Sequence, residues 1–276
     1  MVLLAAVLHA TWNALLKGGQ DRLATFVLLD LTGVVLCALA VPLLPGPAPA
    51  SWIFIALSTL IHTGYKLLLI ESYRTGGDLS QVYPLARGSA PLLVAGFAAL
   101  VVGERLGPLR LAGVLVVCLG LVLLVGVGSA AVLAAHRRAI GFALATGVSI
   151  AAYTVTDGLG VRRSGSALGY IAWLFLAEGL PLPLYAATWG RRHLKDGLRA
   201  NLARGIVSGV LALAAYGLVI WAQSKGALAV VAALRETSVV IAALIGTVVF
   251  GERFGCRRTL AAAVVTVGIV LLNAPP

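Results

Sequence analysis

The sequence predicts an all-α integral membrane protein, with ten transmembrane helices arranged as two inverted five-helix repeats. Three observations carry that prediction. Of the 276 residues, 60 % are hydrophobic and only 11 % are charged, where a soluble domain uses about 25 % charged residues to keep its surface wet. The apolar residues fall into runs near the length of about 20 that a bilayer-crossing helix needs. Segments of the first half also recur 148 residues later in the second.

Composition removes the other classes. The chain is too apolar for a disordered segment, has no short-range repeat, and its three cysteines are too few for a disulfide scaffold. A β-barrel would show strands of about ten residues with alternating polarity, and these runs are continuous. Every backbone donor in hydrocarbon needs a partner within the protein, which leaves helices.

Polar and Gly/Pro breaks place the spans at 1–17, 24–44, 52–73, 79–102, 108–127, 139–158, 168–189, 203–223, 227–250 and 257–273. The first lacks a basic leading segment and carries His9, Thr11, Trp12 and Asn13, so it reads as a span and not as a signal peptide. The 32 glycines suit membrane helices that pack closely. Cys37, Cys118 and Cys256 fall in or beside spans and read as small packing residues. Residues 190–202 read as the longest polar loop, too short for an extramembrane domain.

The repeat is the most informative feature. Gly103-Glu104-Arg105 closes the fourth span and Gly251-Glu252-Arg253 the ninth. The same offset maps Arg87 onto Arg235, Asp30 onto Glu178, and the Gly120–Leu124 run onto Gly268–Leu272. The halves are expected to run from 1 to 127 and from 139 to 273. An odd number of spans per half makes the second insert upside down, the architecture of alternating-access transporters, with a substrate site near the midplane.

His9-Ala10-Thr11-Trp12-Asn13-Ala14-Leu15-Leu16-Lys17, the two Gly-Glu-Arg helix ends and the Gly-rich spans after them resemble EamA-type members of the drug/metabolite transporter superfamily. The resemblance covers nearly the whole chain. It implies five plus five spans, residence in the cytoplasmic (plasma or inner) membrane, and movement of small metabolites, often amino acids, driven by gradients. It places Trp12 and Asn13 on the cavity wall, and it implies no cofactor.

Charges inside spans are costly and mark functional sites by default. Asp30, Lys66, Glu71, Arg87, Asp157, Glu178, Arg235 and Glu236 qualify. Glu71 and Asp157 stand near span ends, where snorkelling to water accounts for them. Arg87 and Arg235 offer planar forks suited to a carboxylate or phosphate, and ligand contact and helix cross-linking both stand for them. Glu236 is next to Arg235, but adjacent residues of a continuous helix point about 100° apart, which argues against direct pairing.

His62 and Lys66 share a helix face. Tyr83 lies one turn before Arg87, and Pro84 is positioned to kink that helix. Tyr153 and Thr154 mark the sixth span, and Tyr216 and Trp221 are weaker candidates in the eighth. The substrate-binding set is therefore Trp12, Asn13, His62, Lys66, Tyr83, Arg87, Tyr153 and Arg235. Asp30, Glu178 and Glu236 leave room for proton coupling, the alternative being that they balance Lys66 and the two arginines. Glu104 and Glu252 read as interface caps.

No HExxH, GxSxG or phosphate-binding loop is present in the sequence, and His9, His62, His136 and His193 are scattered, so neither enzyme nor metal centre is expected. The preferred reading is a secondary transporter of an anionic or zwitterionic metabolite such as an amino acid or organic acid. The alternative is a flippase for lipids or lipid-linked sugars. The expected partners are a small-molecule substrate and the bilayer, with no nucleic acid, in a monomer or weak homodimer.

Of 21 Lys and Arg, 13 lie in loops on one side and 5 on the other. The net charge of +11 therefore reports orientation and not nucleic acid. The positive-inside rule places both termini outside, whereas the resemblance implies both inside.

Overall fold

The computed structural model describes residues 1–17, 21–74, 89–125, 137–189, 191–250 and 255–273. Among them every regular element is helical and there is no strand. The helices are α1 (Val2–Lys17), α2 (Arg22–Ala40), α3 (Trp52–Arg74), α4 (Ser89–Val102), α5 (Pro108–Val125), α6 (Arg137–Arg163), α7 (Ala167–Glu178), α8 (Pro181–Trp189), α9 (Arg191–Gln223), α10 (Leu228–Arg235), α11 (Ser238–Phe250) and α12 (Cys256–Leu272). Among the described residues, four apolar segments are long enough to cross a membrane: Leu23–Leu43, Ala167–Thr188, Leu194–Gln223 and Leu228–Ile245.

The chain forms two compact units, Met1–Thr63 with Thr156–Lys225, and Gly64–Val155 with Gly226–Pro276. Each draws on both halves of the sequence.

In the first unit, α2 packs against α7 and α9, and α1 packs against α9. Small residues set the approach. A Cβ at Gly205 would overlap Leu28, and one at Gly209 would come within 2.9 Å of the Leu29 carbonyl. One at Gly197 would strike Asp21, the residue that caps α2 by accepting the Ala24 N–H at 3.0 Å. The paired positions rise together along both helices, so α2 and α9 run parallel. Residues 191–202, expected as a loop, are instead the first turns of α9. Leu194, Leu198 and Leu202 recur every four residues among good helix formers, and this periodicity outweighs the polar composition.

In the second unit, α5 packs against α12 and α10. The α5–α12 contact is nearly backbone to backbone, and it is paired across the 148-residue offset. A Cβ at Gly120 would lie 3.0 Å from the Val265 nitrogen and 3.1 Å from the Ala261 carbonyl. One at Gly268 would lie 2.8 Å from the Val117 nitrogen and 3.0 Å from the Gly113 carbonyl. Residue 117 corresponds to 265, 113 to 261 and 120 to 268, so the interface is self-complementary, as in an isologous contact. Val114, Val117, Cys118, Leu121, Ala233, Val265 and Leu272 fill the surrounding core.

Two expected spans are jointed. The 168–189 span breaks at Gly179-Leu180 between α7 and α8, where Pro181 opens the second helix. The 227–250 span breaks at Glu236-Thr237. There the Thr237 and Val239 N–H groups bond three residues back, to Leu234 and Glu236 carbonyls, at 3.3 and 3.0 Å.

Candidate functional site

Each unit buries a cluster of charged and polar side chains. In the first unit, Asp157 is fully buried on α6. The Tyr216 hydroxyl on α9 donates to its Oδ2 at 2.5 Å, and the Tyr170 hydroxyl on α7 donates to Oδ1 at 3.3 Å. Tyr170 reaches it because Gly160 leaves the space; a Cβ there would overlap the phenol ring.

One turn along α3, His62 Nδ1 lies 3.1 Å from both the hydroxyl and the carbonyl of Ser58, and 3.3 Å from Oε2 of Glu178 on α7. The Tyr216 ring stands edge-on to the His62 ring at 5.6 Å and to Phe175 at 6.1 Å. Asp30 is buried on α2, and its carbonyl would lie 3.0 Å from a Cβ at Gly179, the residue after Glu178.

Asp157 is thus the centre of a network, not a snorkelling residue at a span end. The sequence pattern ends this span at residue 158, but α6 continues to Arg163, which puts Asp157 in the helix interior. Tyr170 was not singled out in the sequence, because an aromatic in a membrane helix reads as packing or an interfacial anchor. The basic pair beyond Asp157 has structural duties: Arg162 donates to the Gln223 carbonyl at 2.9 Å at the end of α9, and Arg163 lies 4.9 Å over the Phe54 ring.

The second cluster sits at the break between α10 and α11. Arg235 closes α10 and Glu236 caps it, with Arg235 at 3 % and Glu236 at 0 % exposure. The Arg235 Nε and Nη2 groups donate to Glu236 Oε1 at 3.3 and 3.2 Å. Direct pairing, disfavoured on a continuous helix, is made at the two-residue turn between α10 and α11. The Arg235 guanidinium lies 5.9 Å over the Tyr153 ring, within cation–π range. Tyr65 stands edge-on to Tyr153, also at 5.9 Å. Thr237 and Ser238 beside the pair are buried as well.

The remaining sequence candidates are placed as follows. Asn13 on α1 donates to the His9 carbonyl of its own helix at 2.8 Å, and Trp12 stacks edge-on to His9 at 5.0 Å. Lys66 is half-buried on α3, in the second unit. Tyr83, Pro84, Arg87 and Gly251-Glu252-Arg253 lie outside the described residues, as does the side chain of Glu71. Glu104 is a cap, as its place at a helix end suggested. Gly103, at φ 73°, turns the chain out of α4, and Glu104 Oε2 accepts the Leu228 N–H at the start of α10 at 2.9 Å. No group of three or more potential metal ligands occurs among the described residues.

The profile of the EamA-like transporter family matches residues 137–274, half of the chain. No curated protein matches the sequence. A solved structure described as "Crystal structure of protein" shares the fold, with a TM-score of 0.75 over 98 % of this chain and 96 % of that one at 20 % identity. Together with the membrane-length apolar helices, the profile match identifies a multi-pass membrane protein. The chain belongs to the EamA-like transporter family of the drug/metabolite transporter superfamily.

Proposed function

We propose that the protein is a secondary active transporter of a small anionic or zwitterionic metabolite, such as an amino acid or organic acid. It works by alternating access through ten spans built as two inverted five-span repeats, with no enzymatic step. The observation that carries this reading is the buried Arg235–Glu236 pair at a helix break in an apolar segment. Discontinuous helices of this kind form the substrate sites of transporters near the midplane.

The contact geometry supports the architecture. Ten alternately crossing spans require the second and eighth to be parallel, and the fifth and tenth antiparallel. The glycine contacts of α2 with α9 and of α5 with α12 have those directions. The paired α5–α12 contacts are what two inverted copies meeting at a pseudo-two-fold axis would make.

The pair itself favours a zwitterion. A ligand carboxylate can replace Glu236 on the Arg235 fork, while its ammonium takes the released Glu236 carboxylate. Neither protein charge is then left unpaired in a low-dielectric site.

Purified protein in liposomes, tested for uptake of labelled amino acids, carboxylates and phosphonates, is expected to show saturable flux. Arg235→Lys, which keeps the charge and loses the fork, is expected to reduce it strongly. Glu236→Gln is expected to shift preference from zwitterions to anions. Unchanged flux in Arg235→Lys removes this substrate site. Scrambling of a fluorescent lipid without solute uptake replaces the reading with a flippase for lipids or lipid-linked sugars.

A further inference from the structure

The geometry points to the His62–Glu178 pair as a proton-carrying site in the first unit, with Asp157 as its fixed counterion. The reading rests on the transport function only for what the proton would drive.

The two carboxylates have different neighbours. Asp157 accepts hydrogen bonds from Tyr170 and Tyr216. Tyr hydroxyls keep their protons in the physiological range, so these two donors favour the anionic form of Asp157 and do not exchange with it. Glu178 faces His62 Nδ1 at 3.3 Å. Imidazole is the side chain that gains and loses a proton near neutral pH, and it stands at ion-pair distance from the Glu178 carboxylate. Ser58 lies 3.1 Å from the same nitrogen.

The surroundings favour charge exchange over a static lock. The cluster is faced by Ser58 and His62 from α3, Asp157 from α6, Tyr170 and Glu178 from α7, Tyr216 from α9, and Asp30 and Cys37 from α2. Arg162 bonds the Gln223 carbonyl and Arg163 covers Phe54. With Asp30, Asp157 and Glu178 all ionised, a single imidazolium leaves a net negative charge in a buried site, an expensive state in the membrane. Each proton taken up by a carboxylate brings the cluster nearer neutrality. On loading, a proton forms an O–H bond at the Glu178 carboxylate; on release the His62 imidazolium first gives up a proton, and the neutral ring then takes the Glu178 proton, an N–H bond forming as the O–H bond breaks.

Infrared difference spectra of the full-length protein in lipid vesicles, recorded between about pH 8 and about pH 5, read this directly and need no substrate. The expected result is a buried protonated-carboxyl band that grows as pH falls, is missing in Glu178→Gln and is retained in Asp157→Asn. Where Asp157→Asn fails to fold, Tyr216→Phe takes its place and is expected to keep the band. A Glu178→Gln spectrum identical to wild type, or loss of the band in Asp157→Asn instead, overturns the assignment. A missing solute flux with the band intact counts against the transport reading and leaves the proton site standing.

Discussion

The two buried clusters hold charge by opposite means. In the first unit, Asp157 receives hydroxyls delivered by two helices, α7 and α9, from residues distant in sequence. In the second, Arg235 and Glu236 are neighbours in the chain, and one oxygen, Oε1, takes both guanidinium bonds. The first arrangement is redundant, so one donor can be lost while the other remains. In the second, removing either partner breaks both guanidinium bonds at once. A site that must open to a ligand is better served by the second, and a charge that must stay in place by the first.

That contrast predicts its largest effect at the ion pair. Arg235→Met breaks the buried ion pair by removing one partner, at a cost of about 3–5 kcal/mol. The double variant Arg235→Met/Glu236→Leu is expected to recover most of the loss in thermal unfolding in detergent, while solute flux stays absent. Equal stability of the single and double variants would show that the pair is not a structural unit.

Removing single donors from Asp157 tests the redundancy. Tyr216→Phe removes the shorter bond, to an ionised acceptor, and is expected to cost about 1.5–3 kcal/mol. Tyr170→Phe removes a bond of 3.3 Å and is expected to cost less. Gly160→Ala is expected to cost about 1–3 kcal/mol by overpacking, because the new methyl occupies the place of the Tyr170 ring. If Gly160→Ala/Tyr170→Phe is no less stable than Gly160→Ala alone, the alanine already displaces the phenol from Asp157.

The sequence makes charges in apolar runs conspicuous, and so Arg235, Glu178 and His62 stand out without a structure. Asp157 stood out as well, but its role was hidden: Arg162 and Arg163 look like loop residues, although they continue α6 and cap or cover neighbours. The break after Arg235 has no Gly or Pro to announce it. The signal it does carry is Thr237-Ser238 following the charged pair, with the Thr237 hydroxyl bonding the Leu234 carbonyl at 2.7 Å, a local competitor for helical backbone bonding. The 148-residue offset, by contrast, was fully legible, and it recurs in atomic detail where Gly120 meets Val265 and Gly268 meets Val117.

The smallest effect belongs to the strut that holds the Arg235 helix from its other end. α10 is only eight residues long, too short to be stable by itself in water, and the Ala227 side chain gives its N-terminus no cap. Glu104 supplies one from 124 positions away in sequence, placed by the left-handed turn at Gly103. A carboxylate there also faces the positive end of the helix dipole. Glu104→Ala is therefore expected to cost about 0.5–2 kcal/mol, the range of a lost N-cap, whereas Glu104→Gln keeps an acceptor oxygen and loses less. The comparison is sharpened if Glu104→Ala lowers solute affinity at the Arg235 site and leaves the carboxyl band of Glu178 unchanged. A shift of that band in Glu104→Ala would instead mean that the two clusters are not energetically independent.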